Sequence, residues 1–281
     1  MGFFDRLSNG WALGMQAFGV LRQDKHLLVF PLVSGLACLA VLASFALPLW
    51  NSDYVAVVQD EGQMPQDPVA YVLLFLFYFA NYFVIVFFNS ALVACAIIRF
   101  NGGQPSLGDG FRAASARLPQ IFGWALVAAT VGMILRLIES RSEKAGRFVA
   151  GLLGMAWSAV TYFVVPVIVV EKLGPLGAVR RSLAVLRRTW GEALAANFGI
   201  GFIVFLLFLV ALAPAVGGFL IGTPVSVIVG VLATVLLWIL ISLISATVHT
   251  IVLAALYQYA VQGTAPDAFD DALVRQAFSV R

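Results

Sequence analysis

Val225–Tyr259 reads VSVIVGVLATVLLWILISLISATVHTIVLAALYQY, without a single Asp, Glu, Lys or Arg. A helix needs about 20 apolar residues to cross the hydrocarbon of a bilayer, and this run exceeds that. Five more apolar runs precede it: about Leu27–Trp50, Val69–Ile98, Gln120–Ile138, Phe148–Val170 and Ala193–Ala213. The second and sixth are longer than a crossing requires, so they should tilt, kink or project beyond the bilayer. The expected fold is all-α, a polytopic membrane protein with six transmembrane helices. Residues 1–281 read as a single membrane domain. An amphipathic segment (1–26) leads into the six-helix region (27–260), and a cytoplasmic tail (261–281) follows.

Composition agrees. Of 281 residues, 62% are hydrophobic and 11% charged, against about a quarter charged in a soluble domain. That deficit is too large for a merely oily core. The net charge is +3, from 17 basic and 14 acidic residues. The basic residues sit at the ends of apolar runs, where the expected partner is the anionic headgroups of the inner leaflet, not nucleic acid. Cys38 and Cys95 lie inside apolar runs and read as small core residues. No signal peptide, lipoprotein site or myristoylation signal is expected at the N-terminus.

Lys and Arg set the orientation. Arg6, Arg22 and Lys25 precede the first run. Arg99, Arg112 and Arg117 follow the second. Lys172, Arg180, Arg181, Arg187 and Arg188 follow the fourth, and Arg275 and Arg281 lie in the tail. The connections 51–68 and 214–224 carry none; the first is an acidic outer loop, the second an apolar outer loop containing Gly218 and Gly222. Both termini are therefore expected in the cytoplasm, with the chain in the cytoplasmic (inner) membrane. Arg136, Arg141, Lys144 and Arg147 break the pattern on the outer side, interleaved with Glu139 and Glu143. The spacings Arg136–Glu139 and Glu143–Arg147 suit a helix end that pairs its own charges. A functional cluster at the outer surface is the sharper alternative.

Three segments resemble one another, beginning Leu13-Gly14, Leu107-Gly108 and Leu176-Gly177. Arg112 and Arg181 stand at the same offset from their Leu, and the first segment matches less well. Each precedes two runs and mixes apolar with basic residues at helical spacing, the pattern of a helix lying in the membrane interface. They suggest three units, each an amphipathic interfacial helix followed by a transmembrane hairpin.

The stretch Phe163–Ser182, FVVPVIVVEKLGPLGAVRRS, combines Pro166 in an apolar run, Glu171, Gly174-Pro175, and basic residues before a Ser. It resembles a broad group of six-helix prokaryotic membrane proteins, similar to the membrane domain fused to some glycerophosphodiester phosphodiesterases. With Leu186–Glu192, Arg117-Leu118-Pro119 and Gly123-Trp124, the chain looks closer to one uncharacterised family within that group, a domain of unknown function. The resemblance covers nearly the whole chain and implies a fold and a compartment, not an activity. Spans and short connections use the whole sequence, so phosphodiesterase activity is not expected to carry over. On physical grounds, Glu171 should pair with Arg180 or Arg181, and Trp190 should anchor at headgroup depth. The alternative is a lipid-phosphate site built from Arg180, Arg181, Arg187 and Arg188.

Polar residues within spans are functional candidates by default. His249 leads them, with Trp238, Ser242 and Ser245 on its face; Asn81, Asn89 and Asn197 follow. The plainer reading is interhelical hydrogen bonding. Small residues at spacings of four suggest packing seams between the third and fourth helices: Ala150, Gly154 and Ser158, with Ala125, Ala129, Ala128 and Gly132. No Ser-His-Asp grouping, phosphate loop or zinc motif is present in the sequence. No enzyme activity, cofactor or metal is expected. The first expectation is a non-enzymatic structural or assembly component, acting alone, with a second copy or with another membrane protein. The rival is a transporter, channel or lipid-handling protein.

The charge asymmetry predicts labelling from outside the cell. Cysteine placed at Gly62 should react with an impermeant thiol reagent, and cysteine at Ser106 or Ala184 should not. Outside labelling at Ala184 would overturn the topology.

Overall fold

The computed structural model describes residues 3–50, 68–140, 145–188 and 201–270. The acidic connection, the charges Arg141, Glu143 and Lys144, the residues Trp190 and Asn197, and the tail beyond Asp270 lie outside them. All regular elements among the described residues are helical. Six stretches are long and apolar enough to cross a membrane: Lys25–Pro48, Pro68–Phe100, Leu118–Glu139, Gly146–Glu171, Gly201–Ile221 and Pro224–Gln262. The chain is an all-α, multi-pass membrane protein.

In chain order the helices are α1 (Phe3–Gln23), α2 (Val29–Trp50, entered through a 3-10 turn at Lys25–Leu28), α3 (Pro68–Phe100), α4 (Leu107–Ser115), α5 (Leu118–Ser140), α6 (Ala145–Val160), α7 (Val164–Glu171) and α8 (Pro175–Arg188). Then come α9 (201–210), α10 (Ala213–Ile221) and α11 (Pro224–Gln262). The amphipathic helices α1, α4 and α8 each precede two spans, the order that three repeated units require. The ends of the even-numbered spans add a signature. α3, α7 and α11 all close on a left-handed residue followed three positions later by proline: Gly102 and Pro105, Lys172 and Pro175, Gly263 and Pro266. A left-handed residue stops the helix by turning its terminal carbonyls, and the proline redirects the chain.

One expectation is corrected here. Residues 214–221, read as part of an outer loop, are helix α10, and the fifth span runs on to Ile221. Glycines and a proline suggested a loop. In hydrocarbon, however, backbone groups must be satisfied internally, and a helix does that. The turn shrinks to Gly222, left-handed, and Thr223, which caps α11 in a capping box with Ser226.

The chain forms two compact units. One comprises Met1–Pro31, Cys95–Leu107 and Arg187–Arg281; the other comprises Leu32–Ala94 and Gly108–Leu186. In the first, α1 packs along α11, and Leu13, Ala17, Val20 and Leu21 are buried, as are Ile251, Ala254, Ala255 and Tyr257. In the second, the aromatic face of α3 organises the neighbours. Phe79, Phe83 and Phe87 recur every fourth residue and meet ring on ring. Phe122 of α5 stands edge-on to Phe79 at 5.0 Å, Phe111 of α4 meets Phe88 at 5.9 Å, and Phe45 of α2 meets Phe77 at 5.6 Å. Edge-to-face rings gain from their quadrupoles beyond the area that they cover.

The seams also differ in part from expectation. Trp124 of α5 stacks on Trp157 of α6 at 5.7 Å, and Gly154 meets Leu135, so the third and fourth spans do pack together. Gly132, however, faces Tyr82 of α3; a methyl there would sit 3.5 Å from the Tyr82 ring. The tightest glycine seam lies between α10 and α11. A methyl on Gly218 would overlap the Ser226 carbonyl oxygen, and one on Gly230 would overlap that of Pro214.

Gly230→Val should therefore force the hairpin apart and cost about 1–3 kcal/mol. The readout is melting temperature in detergent. Gly217→Ala, which adds a methyl into open space, should melt like the wild type. Equal melting of all three proteins would refute the close approach.

Candidate functional site

Two of the spans are broken by proline. Proline removes one backbone donor and clashes with the carbonyl four residues earlier. In α6–α7, Pro166 puts that break at residues 161–163. The Thr161 and Tyr162 amides bond back to Trp157 and Ala159, and the Val164 amide turns to Thr161. At this break the Val160 carbonyl and the Phe163 amide turn to a partner on another helix. The Ser182 hydroxyl on α8 serves both: it accepts from the Phe163 N–H at 3.0 Å and donates to the Val160 carbonyl at 2.7 Å. Ser182 is fully buried.

The same helix is held a second time. Arg181 donates through Nε to both Glu171 oxygens, at 2.7 and 3.0 Å. Of the two partners foreseen for Glu171, the structure selects Arg181. Lys172, left-handed, turns the chain from α7 towards Gly174-Pro175, and Pro175 begins α8. Gly123 of α5 lets the Pro175 ring come close; a methyl there would sit 2.9 Å from its Cγ. α8 then buries Ala178, Ser182, Val185 and Leu186, and exposes Leu176, Arg180 and Arg187. The arginines of the alternative phosphate site are thus divided. Arg181 faces its own carboxylate, while Arg180 and Arg187 share the outer face two turns apart. The Arg188 side chain and Trp190 lie outside the described residues.

The fifth span repeats the device. Pro214 ends α9, and the Leu212 amide bonds to Leu209 instead of Phe208. The freed Phe208 carbonyl accepts from the Trp238 indole N–H at 3.2 Å. The Ala215 amide, at the start of α10, donates to the Thr234 hydroxyl at 3.1 Å. Ser226 donates to the Gly218 carbonyl at 3.0 Å. Ser226, Gly230, Thr234 and Trp238 lie four residues apart, so one stripe of α11 serves the whole seam.

An ion pair that the sequence reading did not single out closes the base of the first unit. Asp24, between α1 and the 3-10 turn, receives two hydrogen bonds from Arg99 near the end of α3. Its side chain is 5% exposed and that of Arg99 is 21% exposed. Removing one partner of such a pair strands the other charge, at a cost of about 3–5 kcal/mol. One signal was available: Asp24 is the only acid between Arg22 and Lys25. Nearby, the Cys95 thiol donates to the Ser106 carbonyl at 3.5 Å.

The remaining candidates are scattered. Asn81 donates to Phe77 of its own helix at 2.9 Å, not to another helix, and Asn89 is half-buried. Thr130, Thr247 and Thr250 also bond back within their own helices. His249 is half-buried in α11; Ser245, one turn earlier, lines an apolar cavity in the first unit. Arg136 and Glu139 form the expected (i, i+3) pair at 3.1 Å on an exposed surface, an arrangement worth about 0.2–0.5 kcal/mol.

The family model of a family of unknown function, DUF6159, matches residues 68–267. The chain belongs to this family. The match includes Phe163–Ser182 and all but the first of the six spans, so it is narrower than the near-complete coverage expected. Both proline breaks and the hydroxyls that pair with them fall inside the family region, whereas α1 and Asp24 lie before it. No curated protein and no solved structure matches the chain.

Ser182→Ala should strand the Val160 carbonyl and the Phe163 amide, costing about 1–3 kcal/mol for each group left unpaired. Thermal melting in detergent checks this, with exposed Ser242→Ala as the neutral comparison. Wild-type melting of Ser182→Ala would remove Ser182 from its role at the break.

Proposed function

We propose that the chain is a non-enzymatic structural or assembly component of the cytoplasmic membrane, with both termini in the cytoplasm. It holds amphipathic helices at the inner surface, where their outward cations meet anionic headgroups. The observation that carries this reading is the double anchoring of α8. Ser182 and Arg181 fix the helix to the fourth span, while Arg180 and Arg187 stay exposed. The polar groups of the spans also favour it. Ser182, Thr234 and Trp238 serve proline breaks, and Asn81 bonds to its own helix. A second copy or another membrane protein is the partner that such an assembly role calls for.

The rival, a transporter, channel or lipid-handling protein, is favoured by one observation, the apolar cavity beside Ser245. Flux through proteoliposomes separates the two. With protons, potassium, chloride and a fluorescent phospholipid as probes, vesicles carrying the protein should leak and scramble no faster than empty ones. Saturable flux of any probe, abolished by His249→Gln in a protein of wild-type melting temperature, would replace the structural reading with transport.

A further inference from the structure

The cavity lies wholly within the first unit and has a volume of about 310 Å³. Its walls come from α1, the fifth span and α11: Trp11, Met15 and Phe18 face Val204, Leu207 and Ile244. Among the described residues that line it, Ser245 and the Trp11 indole carry the polar side-chain groups, and Gly10 and Gly14 of α1 contribute no side chain at all. Small-molecule sites run from roughly 300 to 1,000 Å³ and carry several polar groups that fix orientation. This cavity is at the lower end of that range and nearly without such groups, which suits a flexible hydrocarbon chain better than a polar metabolite.

Two further observations identify the occupant. The rim is open where Trp11 and Met15 are about half exposed, 50% and 47%. Two of the walls are membrane spans, so the medium at that opening includes acyl chains. An unfilled void forfeits the dispersion contacts of its lining, and a neighbouring chain supplies them. The second observation is charge. Trp11, Met15 and Phe18 follow one another at helical spacings of four and three, and the next position on that stripe is Arg22, exposed in the last turn of α1. Lys25, also exposed, follows at the 3-10 turn. Cations one turn beyond an apolar cavity complement a lipid whose chain is apolar and whose headgroup is negative.

We propose that this cavity binds one acyl chain of an anionic phospholipid, with the headgroup beside Arg22. The site goes beyond the structural role and stands apart from it: a bound lipid is compatible with a protein that moves nothing, and the flux assay does not report on it. The test uses the full chain in a non-brominated detergent, titrated with phosphatidylglycerol brominated along its acyl chains, which quenches tryptophan on contact. Wild type should show a saturable loss of fluorescence that is missing in Trp11→Phe. Ser245→Phe and, from another position on α11, Ile244→Trp should fill the cavity and abolish the saturable phase, each judged only in protein that melts like the wild type. Native mass spectrometry should find one phospholipid retained by the wild type and lost from a filled variant, which covers the case in which one variant fails to fold. Arg22→Gln should weaken the titration several-fold. Quenching that never saturates, or that persists unchanged in the filled variants, would overturn the site. An equal titration with brominated phosphatidylcholine would overturn the assignment to an anionic lipid.

Discussion

A backbone amide or carbonyl that loses its helical partner inside a membrane has no water to turn to, and leaving it unpaired costs several kcal/mol. Pro166 and Pro214 create that problem in the fourth and fifth spans. In both places the answer is a side chain from a different helix: the Ser182 hydroxyl at Val160 and Phe163, and the Thr234 hydroxyl and Trp238 indole at Ala215 and Phe208. Each proline therefore does more than bend a helix. It makes backbone groups available, and the helix that satisfies them becomes fixed in register against the broken one.

This constraint explains why α8 is more than a sticky surface segment. An amphipathic helix held only by its apolar face and its cations can slide along the interface. Ser182 gives it a single docking point, and the adjacent Arg181 adds a second by pairing with Glu171 at the end of the same span. Asp24 and Arg99 do the corresponding work where α1 joins the first span. Cationic charge is thus drawn into the protein at two places, at Arg181 and at Arg99, while Arg180 and Arg187 on α8 remain outward. Buried ion pairs contribute little net stability against a well-packed apolar alternative. Their value here is positional, since they specify which helix end meets which.

Much of the fold was legible because apolar length and charge are one-dimensional signals. The six runs, the three amphipathic segments and the Arg136–Glu139 pair needed nothing beyond spacing. The site was less legible for a physical reason. Ser182 and Thr234 look like ordinary small polar residues, and their role depends on backbone groups freed elsewhere, near prolines 16 and 20 positions earlier. The Asp24–Arg99 pair joins residues 75 positions apart and leaves no local pattern. Residues 214–221 misled in the other direction: Pro214, Gly217 and Gly218 suggest a loop in water, but in hydrocarbon a proline can open a helix and a glycine can admit a neighbouring backbone. The period-four stripe Ser226, Gly230, Thr234 and Trp238 was the available clue to that seam.

Hydrogen exchange at the two breaks, followed by mass spectrometry of short peptides in nanodiscs, tests the central claim most directly. Ser182→Ala should accelerate exchange of the Phe163 amide and leave Ala215 unchanged; Thr234→Val should do the reverse. Unchanged exchange at Phe163 in folded Ser182→Ala protein, or equal acceleration at both amides in either variant, would contradict the account, because the breaks would then be satisfied by something other than these side chains.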